Sequence, residues 1–197
     1  MFFLSRPSDA AIRTILARQC TEEFSYSAVG ASRSELPAGY AVLHSRVDLG
    51  QGAATFARAV DALCRWKMFD VPNVRLCWSN APIEPGAVVA ILIRHFGFWS
   101  LNFSRIVYLL DEDASVRRYG FAYGTLREHA ERGEERFAIE WNRTSDVVSY
   151  DILSFSRPGC LLTRLAYPLA RWLQRRFVRV SLAAMADAVR LGNLAVK

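Results

Sequence analysis

The sequence predicts an α+β fold in which a curved antiparallel sheet of about six to seven strands wraps around a long C-terminal helix. Short segments with strand-like patterns follow one another between residues 74 and 155. Their connections are only a few residues long, which favours antiparallel pairing because a parallel pair needs a crossover of about a dozen residues or more. Residues 162–190 then carry apolar side chains at helical spacing. A curved sheet needs such a cover for its apolar face.

The N-terminal part of the 197-residue chain reads as an accessory segment. We assign residues 1–38 to this segment and residues 39–197 to the main domain, a size that suits one compact unit. Ser8 or Asp9 is expected to cap a short helix. Residues 29–39 contain Gly, Ser and Pro and are expected to form a loop.

Strand-like segments fill most of the main domain. The clearest is 135–141, where Phe137, Ile139 and Trp141 share one face and polar or small residues occupy the other. Glycine, proline and acidic clusters separate the segments and predict turns. The predicted strands are 40–49, 74–78, 87–95, 101–110, 116–125, 135–141 and 147–155.

Two helices are predicted in the main domain. Residues 51–66 are rich in alanine and have apolar residues at helical spacing. The second helix covers 162–190, and Pro168 predicts that it is kinked or begins near Tyr167. The stripe expected to pack on the sheet consists of Leu162, Leu165, Leu169, Leu173, Phe177, Val180 and Ala184.

Positive charge is concentrated at the end of the chain. The net charge is +6, and residues 157–190 contain seven arginines and one acid, which is also a difference of six. A solvated outer face is the favoured interpretation of these arginines. A peripheral membrane contact through Arg171, Arg175 and Arg179 comes second. Nucleic acid is disfavoured because no aromatic stacking platform accompanies the arginines, so we expect no nucleic-acid partner.

Several classes of function are not indicated by any motif. The longest apolar run, 87–93, is too short to cross a bilayer, and no signal-peptide pattern is present, so a cytoplasmic location is expected. The histidines lack metal-ligand spacing, and no complete phosphate loop or nucleophile elbow occurs. We therefore expect no metal and no cofactor. The scattered cysteines, expected to be reduced, are Cys20, Cys64, Cys77 and Cys160.

Candidate site residues cluster in the region 123–136. A strand-end tyrosine, Tyr123, a loop histidine, His129, and a following carboxylate, Glu135, could orient a small molecule or perform acid–base chemistry. Arg105 and Trp141 are the candidate wall residues of the same ligand site. The alternative is that these side chains form an exposed, charged hairpin tip that has no binding role.

Several short segments together carry a resemblance to a known family. They include Val29-Gly30-Ala31, Trp66-Lys67-Met68-Phe69, Cys77-Trp78, Arg105-Ile106-Val107-Tyr108, Gly133-Glu134-Glu135-Arg136-Phe137 and Phe155-Ser156-Arg157-Pro158. Over about residues 26–185 the chain resembles an uncharacterised bacterial and plant family known as domain of unknown function nineteen-ninety. The resemblance implies a helix-grip fold, like that of START-like lipid-transfer domains, pollen-allergen proteins and polyketide cyclases, and leaves the function open.

The leading functional prediction is the binding of an apolar or amphipathic small molecule between the sheet and the C-terminal helix. Support comes from the 24 aromatic residues and from polar residues inside the strands. An enzyme of cyclase or dehydratase type that uses the same cavity is the first alternative. A protein with a filled core that acts as an interaction module is the second.

Overall fold

The computed structural model describes residues 1–78 and 81–192, apart from the side chain of Leu162. The described residues include four α-helices and eight strands. The helices are α1 (Asp9–Gln19), α2 (Gly52–Cys64), α3 (Leu161–Leu165) and α4 (Tyr167–Gly192). The strands are β1 (Phe2–Phe3), β2 (Ala41–Gln51), β3 (Val74–Leu76), β4 (Val88–Arg94), β5 (Trp99–Glu112), β6 (Val116–Thr125), β7 (Glu131–Asn142) and β8 (Val147–Pro158).

All strands form one antiparallel sheet in the order β2-β8-β7-β6-β5-β4-β3, and β1 adds to β5. Strand β5 pairs with β4 through its first half and with β6 through its second half. A register shift between Ile106 and Tyr108 interrupts the second pairing. Such a bulge bends a strand and strengthens its twist, which helps the sheet curl around a helix. The predicted helix-grip fold is confirmed.

The inner face of the sheet is covered by α2, by α4 and by a 3-10 turn at Lys67–Phe69. Trp66, Met68 and Phe69 of this turn are buried among the aromatic side chains of β6 and β7. The Phe69 ring lies 5.5 Å from Phe177 of α4, between ring centroids. The turn therefore fills interior space that would otherwise be open beneath α4.

The outer face is covered by α1 over part of its area. Ile12 of α1 packs with Leu92, Leu101 and Phe103 of β4 and β5. Val89 and Ile91, which alternate with these residues along β4, belong to the inner core. Burial on both faces explains why this strand is continuously apolar, whereas a half-exposed strand alternates.

One carboxylate of β7 binds three residues of the N-terminal segment on the outer face of the sheet. Glu134 accepts hydrogen bonds from the Tyr26 hydroxyl at 2.6 Å and the Gly30 amide at 2.7 Å. The Ser32 amide, at 3.0 Å, and the Ser32 hydroxyl also donate to it. The Tyr26 ring lies against Gly124, where a Cβ atom would be 2.1 Å from its hydroxyl oxygen, so a larger residue at this position would displace the tyrosine.

The C-terminal helix is divided at Ala166, one residue before α4 begins, as Pro168 predicted. The predicted packing stripe is wrong in its first half, because Leu165 and Leu169 are 76% and 49% exposed. The buried face of α4 consists instead of Val178, Ser181, Met185 and Val189, and Phe177 packs beside it. Leu162 lies outside the described side chains. Both stripes have helical periodicity, and α4 buries the one that begins near its midpoint, at Val178.

Candidate functional site

A row of side chains crosses four strands on the inner face, close to the first half of α4. Cross-strand register places Leu43 opposite Ser154, Ser154 opposite Glu135, and Glu135 opposite Tyr123. The neighbouring row deeper in the core is apolar and contains Phe121, Phe137 and Ile152. The polar row therefore lies where the apolar interior of the sheet ends.

Glu135 is the central group of this row. The Tyr123 hydroxyl donates to its Oε2 atom at 2.7 Å. Burial raises the pKa of Glu135 to about 7, and the hydrogen bond from Tyr123 opposes this shift. Burial also raises the pKa of the Tyr123 hydroxyl well above its usual value, and the neighbouring Glu135 reinforces the increase. The pair can therefore hold or release one proton at the carboxyl group near neutral pH.

Glu135 has hydrogen-bonding capacity that the protein does not use. In the described part of the chain, Tyr123 is the one side chain that donates to it. Glu135 as a whole residue is half-buried, and its carboxyl group is removed from bulk water. A carboxylate can accept about four hydrogen bonds, so a guest molecule could donate to Glu135.

A second polar group lies nearer the N-terminal end of α4. Gln174 donates to the Ser156 hydroxyl at 3.0 Å and accepts from Arg171 at 2.7 Å. Ser156 and Gln174 also hydrogen-bond to Glu131. Burial raises the pKa of Glu131 to about 7, against the opposing effect of Arg171. These side chains form the rim of the inner face beside Glu135.

The two carboxyl groups are too far apart to act on one bond. Glu131 and Glu135 are four residues apart on the same strand, which corresponds to roughly 13 Å at about 3.3 Å per residue. Paired carboxylates that cleave a glycosidic bond lie within about 10 Å of each other. A paired acid–base mechanism between these two glutamates is therefore not indicated.

The predicted site residues do not all meet. Tyr123 and Glu135 are in contact, as described above. Trp141 shares their face, yet lies six residues along β7, where it packs near Phe56 of α2 and donates to Asp146 at 2.9 Å. It belongs to the opposite end of the inner face.

Arg105 lies on the other side of the sheet. Its guanidinium donates to the carbonyl oxygens of Gln19 and Cys20, at 3.2 and 3.0 Å, at the C-terminal end of α1. The expectation that it lines the inner wall requires correction, because Arg105 alternates with Ile106, which belongs to the inner core. The outer position lets a cation interact with the free carbonyl groups of a helix end.

His129 lies in the β6–β7 connection, apart from the Tyr123–Glu135 pair. The Glu131 amide donates to its Nδ1 atom at 3.0 Å. Burial lowers the pKa of His129 to about 4, and the N-terminal ammonium group of Met1 contributes to the decrease. His129 is thus neutral at physiological pH, and its contacts hold the loop in place.

Two acidic residues inside the strands are paired with basic side chains on the outer face of the sheet. Asp151 binds Arg136 at 3.0 Å and His44 at 2.6 Å. Glu140 binds Arg46 at 2.8 Å and Arg118 at 2.9 Å. These pairs satisfy buried or half-buried charges locally, which is the usual requirement for charge in a sheet.

Sequence reasoning missed the rim of the site, namely Glu131, Ser154, Ser156 and Gln174. Glu131 was assigned to a polar loop, whereas the structure begins β7 at this residue. The inward direction of the serines follows from the alternation that places Ile152 in the core, so extending that alternation could have found them. Gln174 carries no local signal, because its direction depends on the rotation of α4.

Open clefts occur elsewhere on the surface. One of about 400 Å³ lies between α1 and the outer face of β4, and its lining includes Arg13, Leu16 and Trp78. Another of about 410 Å³ is lined by residues 65–76. Within the described residues there is no group of three or more His, Cys, Asp or Glu side chains that could hold a metal ion. None of the described helices combines the length and apolarity needed to cross a bilayer.

The model of the family described as "Domain of unknown function (DUF1990)" matches residues 25–184. The chain belongs to this family. The helix-grip fold therefore accompanies a DUF1990 sequence.

DUF1990 relatives occur in distant organisms. A UPF0548 protein of Dictyostelium discoideum is 39% identical over 96% of both chains. A UPF0548 protein of Deinococcus radiodurans is 37% identical over 91% of this chain and 94% of its own. The relatives extend beyond bacteria and plants to an amoeba, so they do not indicate a bacterial origin for this chain.

Among solved structures, norcoclaurine synthase from Thalictrum flavum is similar to this chain with a TM-score of 0.46 and 12% identity. The match covers 80% of this chain and 88% of that one.

Among the free thiols of this DUF1990 protein are Cys20, Cys64 and Cys77, in agreement with the expected reduced state of these three.

Proposed function

We propose that this DUF1990 protein binds an apolar or amphipathic small molecule at the inner face of the sheet, beside the first half of α4. The molecule would place a hydrogen-bond donor, such as a hydroxyl or amine, at Glu135. Its apolar part would extend towards Leu43 and Phe177. We include in this proposal a cytoplasmic location, where thiols such as those of Cys20, Cys64 and Cys77 stay reduced.

The unused hydrogen-bonding capacity of Glu135 carries the proposal. A carboxyl group that is removed from bulk water and has one donor is costly unless a further partner or a proton compensates it. The shift of its pKa to about 7 expresses that cost. A guest that donates to Glu135 would relieve it, whereas the outer-face acids already have their partners within the protein.

The surroundings of Glu135 suit a molecule with an apolar body. Leu43 and Phe177 pack against the core and keep part of their surface accessible. Small-molecule sites are commonly apolar with a few polar groups that fix orientation. Because Trp66 and Phe69 already fill the deeper interior, the site accommodates a guest near the rim of the sheet and excludes one that needs the full length of the grip.

An enzyme that uses the same pair of residues is the second candidate. General acid–base catalysis is most efficient when the pKa of the catalytic group is close to the working pH, and Glu135 meets this condition. Tyr123 would hold the carboxyl group in position. The reaction class that fits is acid–base chemistry through one carboxyl group, as in a cyclase or dehydratase. In a dehydration Glu135 would take a proton from carbon and return it to the departing hydroxyl group, which leaves as water.

The test is ligand retention and binding by three purified variants and the wild type. Native mass spectrometry would detect a copurified small molecule, and the anionic dye anilinonaphthalene sulfonate would report accessible apolar surface. Ser154→Leu would fill the space opposite Glu135, and Glu135→Gln would remove the negative charge while it keeps the shape. Glu23→Gln, at an exposed glutamate, is the matched control.

We expect Ser154→Leu to lose the copurified molecule and at least tenfold of the dye affinity. Glu135→Gln should change the affinity for guests that carry a donor, and Glu23→Gln should bind as the wild type does. If wild type carries no molecule and the dye binds Ser154→Leu equally well, the proposed site is wrong. The copurified molecule, once identified, would be incubated with each protein. Chemical conversion by wild type but not by Glu135→Gln would favour the enzyme.

A further inference from the structure

The first half of the C-terminal helical region presents large apolar side chains to solvent. Leu161 and Leu165 of α3 are 70% and 76% exposed, and Leu169 and Trp172 of α4 are about half exposed. Leu165, Leu169, Trp172 and Arg176 succeed one another at intervals of four, three and four residues. Within α4 that spacing places Leu169, Trp172 and Arg176 on one face of the helix, and the exposed leucines of α3 precede this face along the chain. These exposed side chains, which we call the Leu161–Trp172 stripe, point away from the protein core.

Positive charge borders the stripe. Arg164, Arg175, Arg176 and Arg179 lie on or next to the same turns, and the Arg176 guanidinium lies 5.6 Å from the centre of the Trp172 ring. No acidic residue occurs in the sequence between residues 157 and 186. In the described structure none of these four arginines takes part in an ion pair, unlike Arg46, Arg118 and Arg136 of the sheet.

We propose that the Leu161–Trp172 stripe and its arginines form a docking surface for a membrane that contains anionic lipids. The leucines and Trp172 would enter the boundary between head groups and acyl chains. The arginines would meet the phosphate and carboxylate groups above it. Interfacial helices combine Leu and Trp with Arg, whose long side chain can rest on the apolar surface while its charged end reaches the head groups. Tryptophan favours the depth at which one ring edge remains hydrated.

Charge complementarity identifies the occupant as a lipid surface. Nucleic acid would neutralise the arginines but would leave three exposed leucines in water, because phosphate contacts give no cover to apolar side chains. A second copy of the chain would bring the same arginines against each other, with no acidic residue in the segment to separate them. An anionic bilayer satisfies both the apolar and the basic side chains at once.

The docking surface lies next to the rim of the inner face. Arg171 and Gln174 of the same turns point inward to the Glu131 and Ser156 group, while Leu169 and Trp172 point outward. Docking would therefore hold the rim close to the lipid head groups. The proposal stands without the small-molecule site, since it depends on exposed side chains that take no part in that site.

Sedimentation with lipid vesicles tests the proposal. Wild type is expected to bind vesicles of phosphatidylcholine with 30% phosphatidylserine, and to bind pure phosphatidylcholine at least tenfold more weakly. Arg175→Gln with Arg176→Gln should weaken binding to the anionic vesicles by about 25-fold, since about 1 kcal/mol for each basic residue corresponds to roughly fivefold. High salt should weaken wild-type binding in the same direction.

The apolar contribution is tested by Leu165→Ser with Leu169→Ser, which should reduce binding at least tenfold. Both leucines are exposed, so folding should be unaffected, which circular dichroism would confirm. Leu191→Ser with Arg190→Gln is the matched control, because Leu191 is an exposed leucine at the other end of α4 and Arg190 is already paired with Asp187.

Tryptophan fluorescence provides the depth. Phosphatidylcholine and phosphatidylserine with brominated acyl chains should quench the tryptophan fluorescence of wild type and should quench that of Trp172→Phe much less.

Equal binding by the leucine double variant and the control pair would overturn the proposal. So would the absence of vesicle binding by wild type at low salt, and a concentration-dependent dimer abolished by Leu165→Ser with Leu169→Ser would assign the stripe to self-association instead.

Discussion

Glu134 and Glu135 are neighbours in sequence and differ in almost every physical respect. Glu134 points to the outer face and accepts four hydrogen bonds from Tyr26, Gly30 and Ser32. Glu135 points to the inner face and accepts one, from Tyr123. The first carboxylate is fully compensated and holds the N-terminal segment. The second has an unmet requirement, which is the property expected of a group that binds a partner molecule.

Removing the compensated carboxylate should have the largest effect on stability. Glu134→Ala leaves the Tyr26 hydroxyl and the amides of Gly30 and Ser32 without their acceptor in a buried place. We expect a loss of about 3–5 kcal/mol in the free energy of unfolding, measured by urea titration. Glu134→Gln keeps one oxygen acceptor and should lose less. A loss below about 1 kcal/mol in Glu134→Ala would show that Glu134 is not the anchor of the segment.

The two ends of the C-terminal helical region can be compared in the same way. Met185→Ala removes a fully buried side chain and should cost about 2–5 kcal/mol, the usual range for a core methionine. Leu165→Ala removes an exposed one and should change stability by less than about 0.5 kcal/mol. Thermal and urea unfolding measure both variants. A larger cost for Leu165→Ala than for Met185→Ala would reverse our assignment of the packing stripe.

Glu135→Gln should stabilise the protein at alkaline pH. The pKa of Glu135 is about 7 in the folded state against an ordinary 4.5, so the folded state binds more protons between these values. Stability from this group is full below pH 4.5 and is lost as the pH rises towards 7. At pH 8 the variant should therefore exceed wild type by on the order of 1–3 kcal/mol, with a smaller difference at pH 4.5.

Glu131→Gln is the parallel variant for that experiment, because the pKa of Glu131 is also raised to about 7. Each variant should remove part of the alkaline loss, and the double variant should remove more than either. Equal unfolding temperatures for wild type and Glu135→Gln from pH 5 to 8 would contradict the proposed environment of Glu135.

Among the substitutions of charged residues, Arg105→Ala should have the smallest effect on stability. On the outer face it loses hydrogen bonds to the carbonyl groups at the end of α1, which we expect to cost about 1 kcal/mol. Dye and ligand affinity should remain as in wild type, since Arg105 does not reach the inner row. A loss of affinity without a loss of stability would place Arg105 in the binding site after all.

Strand positions could be predicted from sequence with small boundary errors. The predicted segment 116–125 coincides with β6, and 147–155 falls within β8. Residues 126–130 form the connection between β6 and β7, as predicted. Strand β7 begins earlier than the polarity of Glu131, Arg132 and Gly133 suggests. Polar residues at a strand end look like a loop when their partners, here Ser156 and Gln174, are distant in sequence.

The sequence was sufficient to predict the pair at the centre of the candidate site, because both residues lie in regular strands of one hairpin. Tyr123 and Glu135 were chosen because they flank one hairpin, and antiparallel pairing places them opposite each other. His129 belongs to the same hairpin but to its connection, so its side chain follows the loop and not the pleat. Arg105 depends on strand facing, and a shift of one residue moves a side chain to the other face.

The sequence by itself determined the order of strands and helices, the antiparallel pairing and the division of the last helix near Pro168. These features follow from local periodicity, short connections and the missing amide of proline, which act within a few residues. Only the tertiary structure decided which of two apolar stripes α4 buries and which acids receive partners. Those outcomes depend on the rotation of α4 against a curved sheet, and helical periodicity gives the spacing of a stripe without its direction.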